Sequence, residues 1–287
     1  MRGRGVDVRV SALFYGAGMQ STALALMSCE NKMKGIIHKE VPIYDAVVFC
    51  DLGLEPYWVK DQVEFIKNAC EKAGILFKII DSNLYKDYMD NFGEGHVSSV
   101  PFWSVDENGK KAKMRRHCTI DYKILLVEKF LRYNLLGYKK YQRLKPEDVL
   151  AHEMHIGFSA EESRRISGLN PSNLYIKKYP LVEMGWERAD SYKYILEVWG
   201  LDTKASACSF CPFHMNYFFK HLKENAADEY KKIVAFDRLI GEKQEKTAIK
   251  SKIFISRSRK RIEDLLPEEC NDAQYFEYNG RQVWNGF

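Results

Sequence analysis

The stretch Tyr15-Gly16-Ala17-Gly18-Met19-Gln20-Ser21-Thr22 decides how this chain of 287 residues is read. It follows an apolar, strand-like run (Val8, Val10, Leu13, Phe14) and leads into the helix-like Thr22-Ala23-Leu24-Ala25-Leu26-Met27. Strand, glycine turn and helix together make a phosphate-binding arrangement. Glycines let the backbone approach an anion, and the free N–H groups and positive dipole end of the helix meet its charge. Ser21 and Thr22 add hydroxyl donors. The spacing fits neither G-x-x-x-x-G-K-[ST] nor G-x-G-x-x-G, and a Ser or Thr after a glycine turn also serves simply to start a helix.

The flanking pattern alternates strand and helix. Val8 to Tyr15 reads as a strand and Gln20 to Asn31 as a helix. Ala46 to Cys50 reads as a buried strand ending at Asp51. Glu55 to Lys72 is helical, with Val59, Val63, Phe65, Ile66 and Ala69 on one face and Gly74 as its stop. Leu76 to Ile80 is a further strand, ending at Asp81. This order predicts an α/β fold with a doubly wound, mostly parallel, five-stranded sheet of Rossmann-like type. Ligands of such sheets lie outside the carboxyl ends of the strands, where the Gly16–Thr22 loop, Asp51 and Asp81 are expected. Residues 91–116 read as a long inserted loop, Cys118 to Leu136 as an amphipathic helix, Val149 to Phe158 as a strand and Asp190 to Trp199 as a helix. The expected organisation is an α/β nucleotide-binding domain over 1–225 and a helical C-terminal extension over 226–287.

Composition narrows the class. The chain is 46% hydrophobic, enough for a sizeable core, and no apolar run approaches the ~18 residues of a membrane span. The basic segment Met1–Gly5 precedes no apolar h-region, so a cytoplasmic protein is expected. The net charge of +5 is unevenly spread: Lys110, Lys111, Lys113, Arg115 and Arg116 form one cluster, and Arg257, Arg259, Lys260 and Arg261 another. Such runs are either solvated surface or the footprint of a polyanionic partner.

Several residues carry potential chemistry. Asp51 either contacts a ribose, a base amine or a metal, or caps the following turn. Cys118 follows Arg115-Arg116-His117 at a helix start, a setting that favours thiolate. Cys208-Ser209-Phe210-Cys211 is a C-x-x-C turn, which suits structural zinc, a redox dithiol or an iron–sulfur cluster. With Cys118 as a third ligand the count suits a [4Fe–4S] cluster with one open iron; adding His117 or His214 gives a Cys3His zinc site instead. His152-Glu153-Met154-His155 places its two histidines on opposite strand faces and reads as structural. Gly157 to Arg165 leaves the late strand with carboxylates and guanidinium groups, which either grip a phosphate or sulfate or pair with one another.

Together these segments resemble the PP-loop superfamily of adenine nucleotide α-hydrolases, whose fold is the HUP type. The resemblance is to its phosphoadenosine-phosphosulfate-reductase-like branch, including the short members common in phages and mobile elements. Gly16-Ala17-Gly18-Met19-Gln20-Ser21 is similar to the family loop S-G-G-x-D-S, with Gln20 in place of the usual Asp. Phe49 to Pro56 is similar to its "ADTGxEP" strand end, and Arg116 to Lys123 to "CTxxYK". Gly157 to Arg165 is similar to "GIxxxExxR", Tyr179-Pro180-Leu181 with Trp186 and Arg188 to "PLxxW", and Cys208 to His214 to "CxxCPFH". The likeness covers about residues 8–225, in order.

The resemblance implies ATP or another adenylyl nucleotide, with Mg²⁺, held by Tyr15, Gly16, Ala17, Gly18, Gln20, Ser21, Thr22, Asp51 and Gly157. It implies that ATP is cleaved between its α and β phosphates to form an adenylate that a nucleophile resolves. Gln20, Ser21 and Cys118 then act in catalysis, Arg116, Lys123, Glu162, Arg165 and Arg188 meet the substrate, and Cys118, Cys208, Cys211 and His214 bind metal. The expected cofactor is a [4Fe–4S] cluster, with zinc as the alternative. The leading reading is an ATP-dependent enzyme modifying a nucleic-acid or nucleotide substrate, with sulfur transferred through the cysteines from a sulfur donor. Other readings are a sulfonucleotide reductase using Cys118 or Cys270 with a thioredoxin-like reductant, and a non-enzymatic nucleotide- or nucleic-acid-binding module with structural zinc. Glu269-Cys270-Asn271 keeps only part of the reductases' E-C-G-x-H. A homodimer is compatible with all three.

Overall fold

The computed structural model describes residues 10–166 and 172–286; Met1–Gly5 and the expected strand residues Val8 and Arg9 lie outside the described residues. In chain order the elements are β1 (Ser11–Tyr15), α1 (Met19–Lys34), β2 (Ala46–Asp51), α2 (Tyr57–Ala73), β3 (Leu76–Asp81) and α3 (Leu84–Asn91). There follow β4 (Trp103–Val105), β5 (Lys111–Lys113), α4 (Leu125–Phe130), β6 (His152–Ile156), β7 (Tyr175–Lys178) and α5 (Pro180–Glu183). The chain closes with α6 (Arg188–Trp199), α7 (Asn216–Asn225), α8 (Ala227–Glu242), β8 (Lys252–Phe254), β9 (Tyr275–Tyr278) and β10 (Arg281–Trp284).

The predicted sheet is present: five parallel strands in the order β3-β2-β1-β6-β7. Central β1 pairs in parallel with β2 (Ala12 opposite Ala46) and β6 (Ala12 opposite Met154). Ala12 and Leu13 are fully buried, which is why this strand reads as a continuous apolar run rather than an alternating one. The strand order reverses beside β1, so the loop after β1 opens at the switch point where such sheets bind ligands. Strand β7 was not legible in the sequence, because Tyr175-Ile176-Lys177-Lys178 has neither an apolar run nor a clean alternation.

By packing, the chain forms two compact units that interleave in sequence: Met1–Phe49, Gln62–Ile79 and Glu128–Thr203 make the first, and Cys50–Asp61, Ile80–Val127 and Lys204–Phe287 the second. In the first unit α1 is buried from Met19 through Asn31 and packs against α6. Its one buried carboxylate, Glu30, is held by Lys34 Nζ (2.6 Å), His38 Nε2 (2.9 Å) and the Tyr194 hydroxyl of α6 (2.6 Å). Asn31 braces the following turn, donating to the carbonyls of His38 and Val41 and accepting from the N–H groups of Ile37 and His38.

The second unit has an aromatic core of Tyr88, Phe102, Phe210 and Phe236. Within it the expected inserted loop of 91–116 forms a short hairpin, β4–β5, that pairs with β8. Residues 226–287, expected to be helical, contain α8 and also β8 and the hairpin β9–β10. The expected continuous helix over 118–136 is interrupted instead: π-helical turns at Ile120–Ile124 and Leu131–Leu135 flank α4. Such wide turns shift the side-chain register and recur at functional sites. Among the described residues no helix is long and apolar enough to cross a membrane.

Burial alone would raise the Glu30 carboxyl, but the hydrogen bonds from Lys34, Tyr194 and His38 outweigh it and hold it below its ordinary value. A depressed carboxyl stabilises the fold above the unfolded pKa and loses that contribution as pH falls through the folded one. Glu30→Gln is therefore expected to cost roughly 1.5–3 kcal/mol at pH 7, the range for hydrogen bonds to a charged group. In urea titrations the gap to the wild type should narrow toward pH 3; a gap constant with pH contradicts this role.

Candidate functional site

In the first unit the site begins where β1 ends. Ala17 turns the chain with φ 57°, a left-handed conformation unusual for a residue with a Cβ. Its carbonyl is held by the buried Gln62 amide. Gly18 then caps α1 in an extended conformation and offers no side-chain cap bond, leaving the first N–H groups of the helix to backbone geometry and whatever binds there. Ser21 tightens the loop from inside, accepting from the Gly16 N–H and donating to the Gly18 carbonyl, both at 3.2 Å. Thr22 is fully buried and its hydroxyl pairs with Tyr15 at 3.2 Å. The Tyr15 phenol is buried too, which raises its pKa. Tyr15, Ser21 and Thr22 thus shape the loop from behind rather than present free hydroxyls.

Gly157, just beyond β6, presses against the start of α1. A Cβ at this position would stand 2.7 Å from the Ser21 nitrogen and 2.9 Å from its Cα, closer than real side chains come. From Gly157 the chain enters the short 3-10 helix Ala160–Arg165, and its charged side chains gather beside the loop. Gln20 donates to Glu162 at 3.2 Å. Glu162 also pairs with Arg165, which lies over the Phe158 ring at 4.4 Å. Arg188, the first residue of α6, reaches Glu161 at 3.7 Å and Glu162 at 3.9 Å. Its buried Nε has no hydrogen-bond partner among the described residues. The predicted residues Gly16, Ala17, Gly18, Gln20, Ser21, Gly157, Glu162, Arg165 and Arg188 therefore come together.

The network also explains Gln20. An Asp in its place would set one carboxylate against another where an amide now donates to Glu162.

The second unit holds the remaining predicted residues. The Asp51 carboxylate accepts from the Gly53 N–H at 2.8 Å, a local turn in which Gly53 has φ 92°. The C-x-x-C segment folds into consecutive turns, with Cys211 N–H donating to the Cys208 carbonyl and His214 N–H to that of Cys211. The Cys208 thiol donates to Cys211, and this, against burial, brings Cys211 down to about 7 and leaves Cys208 raised.

The thiolate expected at Cys118 is not what the structure favours. Burial pushes this thiol up, and the nearby Arg116 and Lys123 do not offset it. His214 does not serve as the fourth ligand in this arrangement. Its Nε2 meets the Cys208 carbonyl at 3.0 Å, its ring stacks on Phe218 at 3.5 Å, and burial lowers its pKa to about 3. Among the described residues no three Cys, His, Asp or Glu side chains converge as a metal-binding group. As placed, Cys208 and Cys211 form a dithiol pair, with Cys118 near enough to feel the Cys211 charge.

One residue escaped the sequence reading. Glu55 is buried, and desolvation pushes its carboxyl up to about 7, with Lys123 opposing and Asp51 and Cys211 reinforcing the shift. The Lys123 charge also reaches Cys118, Cys208 and Cys211. It is the cation shared by all three thiols and by Glu55. A Glu before a Pro gives no sequence signal of burial, so only the packing reveals it.

No family model matches the chain, and no curated protein is similar to it. Among solved structures, the U34-tRNA thiolase NcsA from Methanococcus maripaludis, with its [4Fe-4S] cluster, is similar at 16% identity and a TM-score of 0.38. The match covers 83% of this chain and 74% of that one.

The Gln20–Glu162 contact is open to a direct test. Gln20→Asp is expected to lower stability by about 1 kcal/mol through like-charge repulsion and the lost hydrogen bond. Adding Glu162→Gln should recover most of that loss. In a double-mutant cycle read by thermal melts, additive losses would show that the two side chains do not interact.

Proposed function

We propose that this chain is an ATP-dependent PP-loop enzyme that adenylates a nucleotide or nucleic-acid acceptor. The observation that carries the reading is the loop of the first unit: a glycine turn at a sheet switch point, locked by Ser21 and Gly157, with Arg165 and Arg188 beside it. Backbone N–H groups of the loop and of the α1 start would hold the phosphates of ATP, which arrives as its Mg²⁺ complex. Arg165 and Arg188 would bind the charge that builds on pyrophosphate as the bond to the α-phosphorus breaks. Arg188 supports this role by holding a buried donor that finds no hydrogen-bond acceptor among the described residues. Glu161 and Glu162 keep both guanidinium groups in place before nucleotide arrives.

Sulfur transfer, the further part of the sequence reading, rests on Cys118, Cys208 and Cys211. The paired thiols and the Lys123 charge that reaches all three sulfurs suit thiol chemistry.

Calorimetric titration with ATP and Mg²⁺ tests the reading. Arg188→Ala should weaken ATP at least tenfold, with a smaller loss for adenosine, because the guanidinium meets phosphate. If neither ATP nor any other adenylyl nucleotide binds the purified protein, the proposal fails.

A further inference from the structure

Lys111 and Lys113 of the first basic cluster and Arg259 of the second, far apart in sequence, meet at one small sheet of the second unit. Strand β4 is its centre, with β5 and β8 antiparallel on either side. Val105 pairs with Lys111 on one side and Lys252 on the other, and Trp103 pairs with Lys113 and Phe254. Because side chains alternate along a strand, these six share one face. The intervening Ser104 and Ile253 are buried on the other face. Lys111, Lys113 and Lys252 are exposed and form no ion pair among the described residues. Neighbouring cations behave differently: Lys260 pairs with Glu269, and Arg261 with Asp237. The hairpin's two acids lie at its tip: Asp106 accepts from the N–H groups of Asn108 and Lys110, and Glu107 is exposed in the turn, off the strand face.

The aromatic residues of this face are interleaved with the cations. Arg259 lies over the Trp103 ring at 5.1 Å, steered there by hydrogen bonds to the carbonyls of Ser104 (3.3 Å) and Arg257 (3.2 Å). Lys113 sits 5.4 Å from the same ring and 4.5 Å from Phe213, which Arg116 also covers at 5.5 Å. The Trp103 indole N–H donates to the Pro212 carbonyl at 2.8 Å, tying the sheet to the turn that carries Cys208 and Cys211.

We infer that this β5-β4-β8 face binds single-stranded nucleic acid, with lysines on the phosphates and the aromatic and guanidinium planes available to unpaired bases. Unpaired cations alternating with half-buried rings are the combination that strands require: charge tracks the backbone, and flat surfaces accept bases of any identity. A membrane is a poorer match, since none of the exposed large apolar side chains belongs to this sheet. The anchoring of Trp103 on Pro212 would bring a bound strand beside the cysteine turn. The inference deepens the proposed function by naming the acceptor class, and it rests on that reading only for its catalytic consequence.

The test is fluorescence anisotropy of a labelled 20-nucleotide oligouridine with the full-length protein, over a salt series. The Lys111→Gln/Lys113→Gln/Lys252→Gln variant should bind at least tenfold more weakly. Its slope of log affinity against log salt should be shallower by about 2, from ~0.7 per lost phosphate contact on a single strand. Unchanged affinity and slope overturn the inference. So does tighter binding of a 20-base-pair duplex, or binding of polyglutamate or phosphatidylglycerol vesicles in place of the oligonucleotide. ATP titrated into the same variant separates the two readings. Retained ATP affinity with lost RNA affinity supports both, whereas RNA binding without any ATP binding sinks the proposed function alone.

Discussion

Between the end of β6 and the start of α1 there is room for backbone and for nothing more. With the Gly157 Cα carrying only hydrogens, the turn after β6 can lie against Ser21; a single methyl would stand 2.7 Å from its nitrogen. That close approach sets the depth at which α1 starts and brings the 3-10 helix Ala160–Arg165 alongside the loop. The Gln20–Glu162 hydrogen bond and the arginines at 165 and 188 follow from it. Ala17 is the local cost of the arrangement: a left-handed residue with a Cβ is strained by about 1–2 kcal/mol. The Gln62 amide on its carbonyl, in a fully buried position, offsets part of that strain.

Charge is handled differently in the two units. Beside the loop, carboxylates and guanidinium groups are paired with one another while partly exposed, so Glu161 and Glu162 hold the Arg165 and Arg188 donors in position. Around the cysteines of the second unit burial dominates. It raises Cys118 despite two nearby cations and raises Glu55 despite Lys123, and at Cys211 it is overcome chiefly by the hydrogen bond from Cys208. Counting neighbouring charges along the sequence misjudged Cys118 because desolvation acts from all directions and sequence neighbours from one.

The strands β1, β2, β3 and β6, the helices α1 and α2 and the glycine loop were legible in the sequence, because each is local. The buried strands β1 and β2 leave apolar runs, β3 keeps Leu76, Phe77, Ile79 and Ile80 although it is largely exposed, and Gly16, Gly18 and Gly74 punctuate the pattern. The parts that escaped depend on distant partners. Strands β4, β5 and β8 are three residues long, and pairing Ser104 with Ile253 requires a tertiary fold that no window of sequence contains. The π-helical turns at Ile120 and Leu131 leave the apolar periodicity of 118–136 nearly intact while widening its path. Among the candidate site residues, the loop and the Gly157–Arg165 turn were found together because both flank strands of one sheet. His214 and Glu55 were misjudged or missed because burial set their state.

The central claim, that the β1–α1 loop is a nucleotide cradle braced by Gly157, is tested most directly by amide hydrogen exchange with and without ATP and Mg²⁺. The account predicts slower exchange on ATP addition in peptides spanning residues 16–20 and 157–165, with those of β9 and β10 unchanged. Exchange in the loop that is indifferent to ATP, at concentrations where calorimetry detects binding, would place the nucleotide elsewhere and contradict the account.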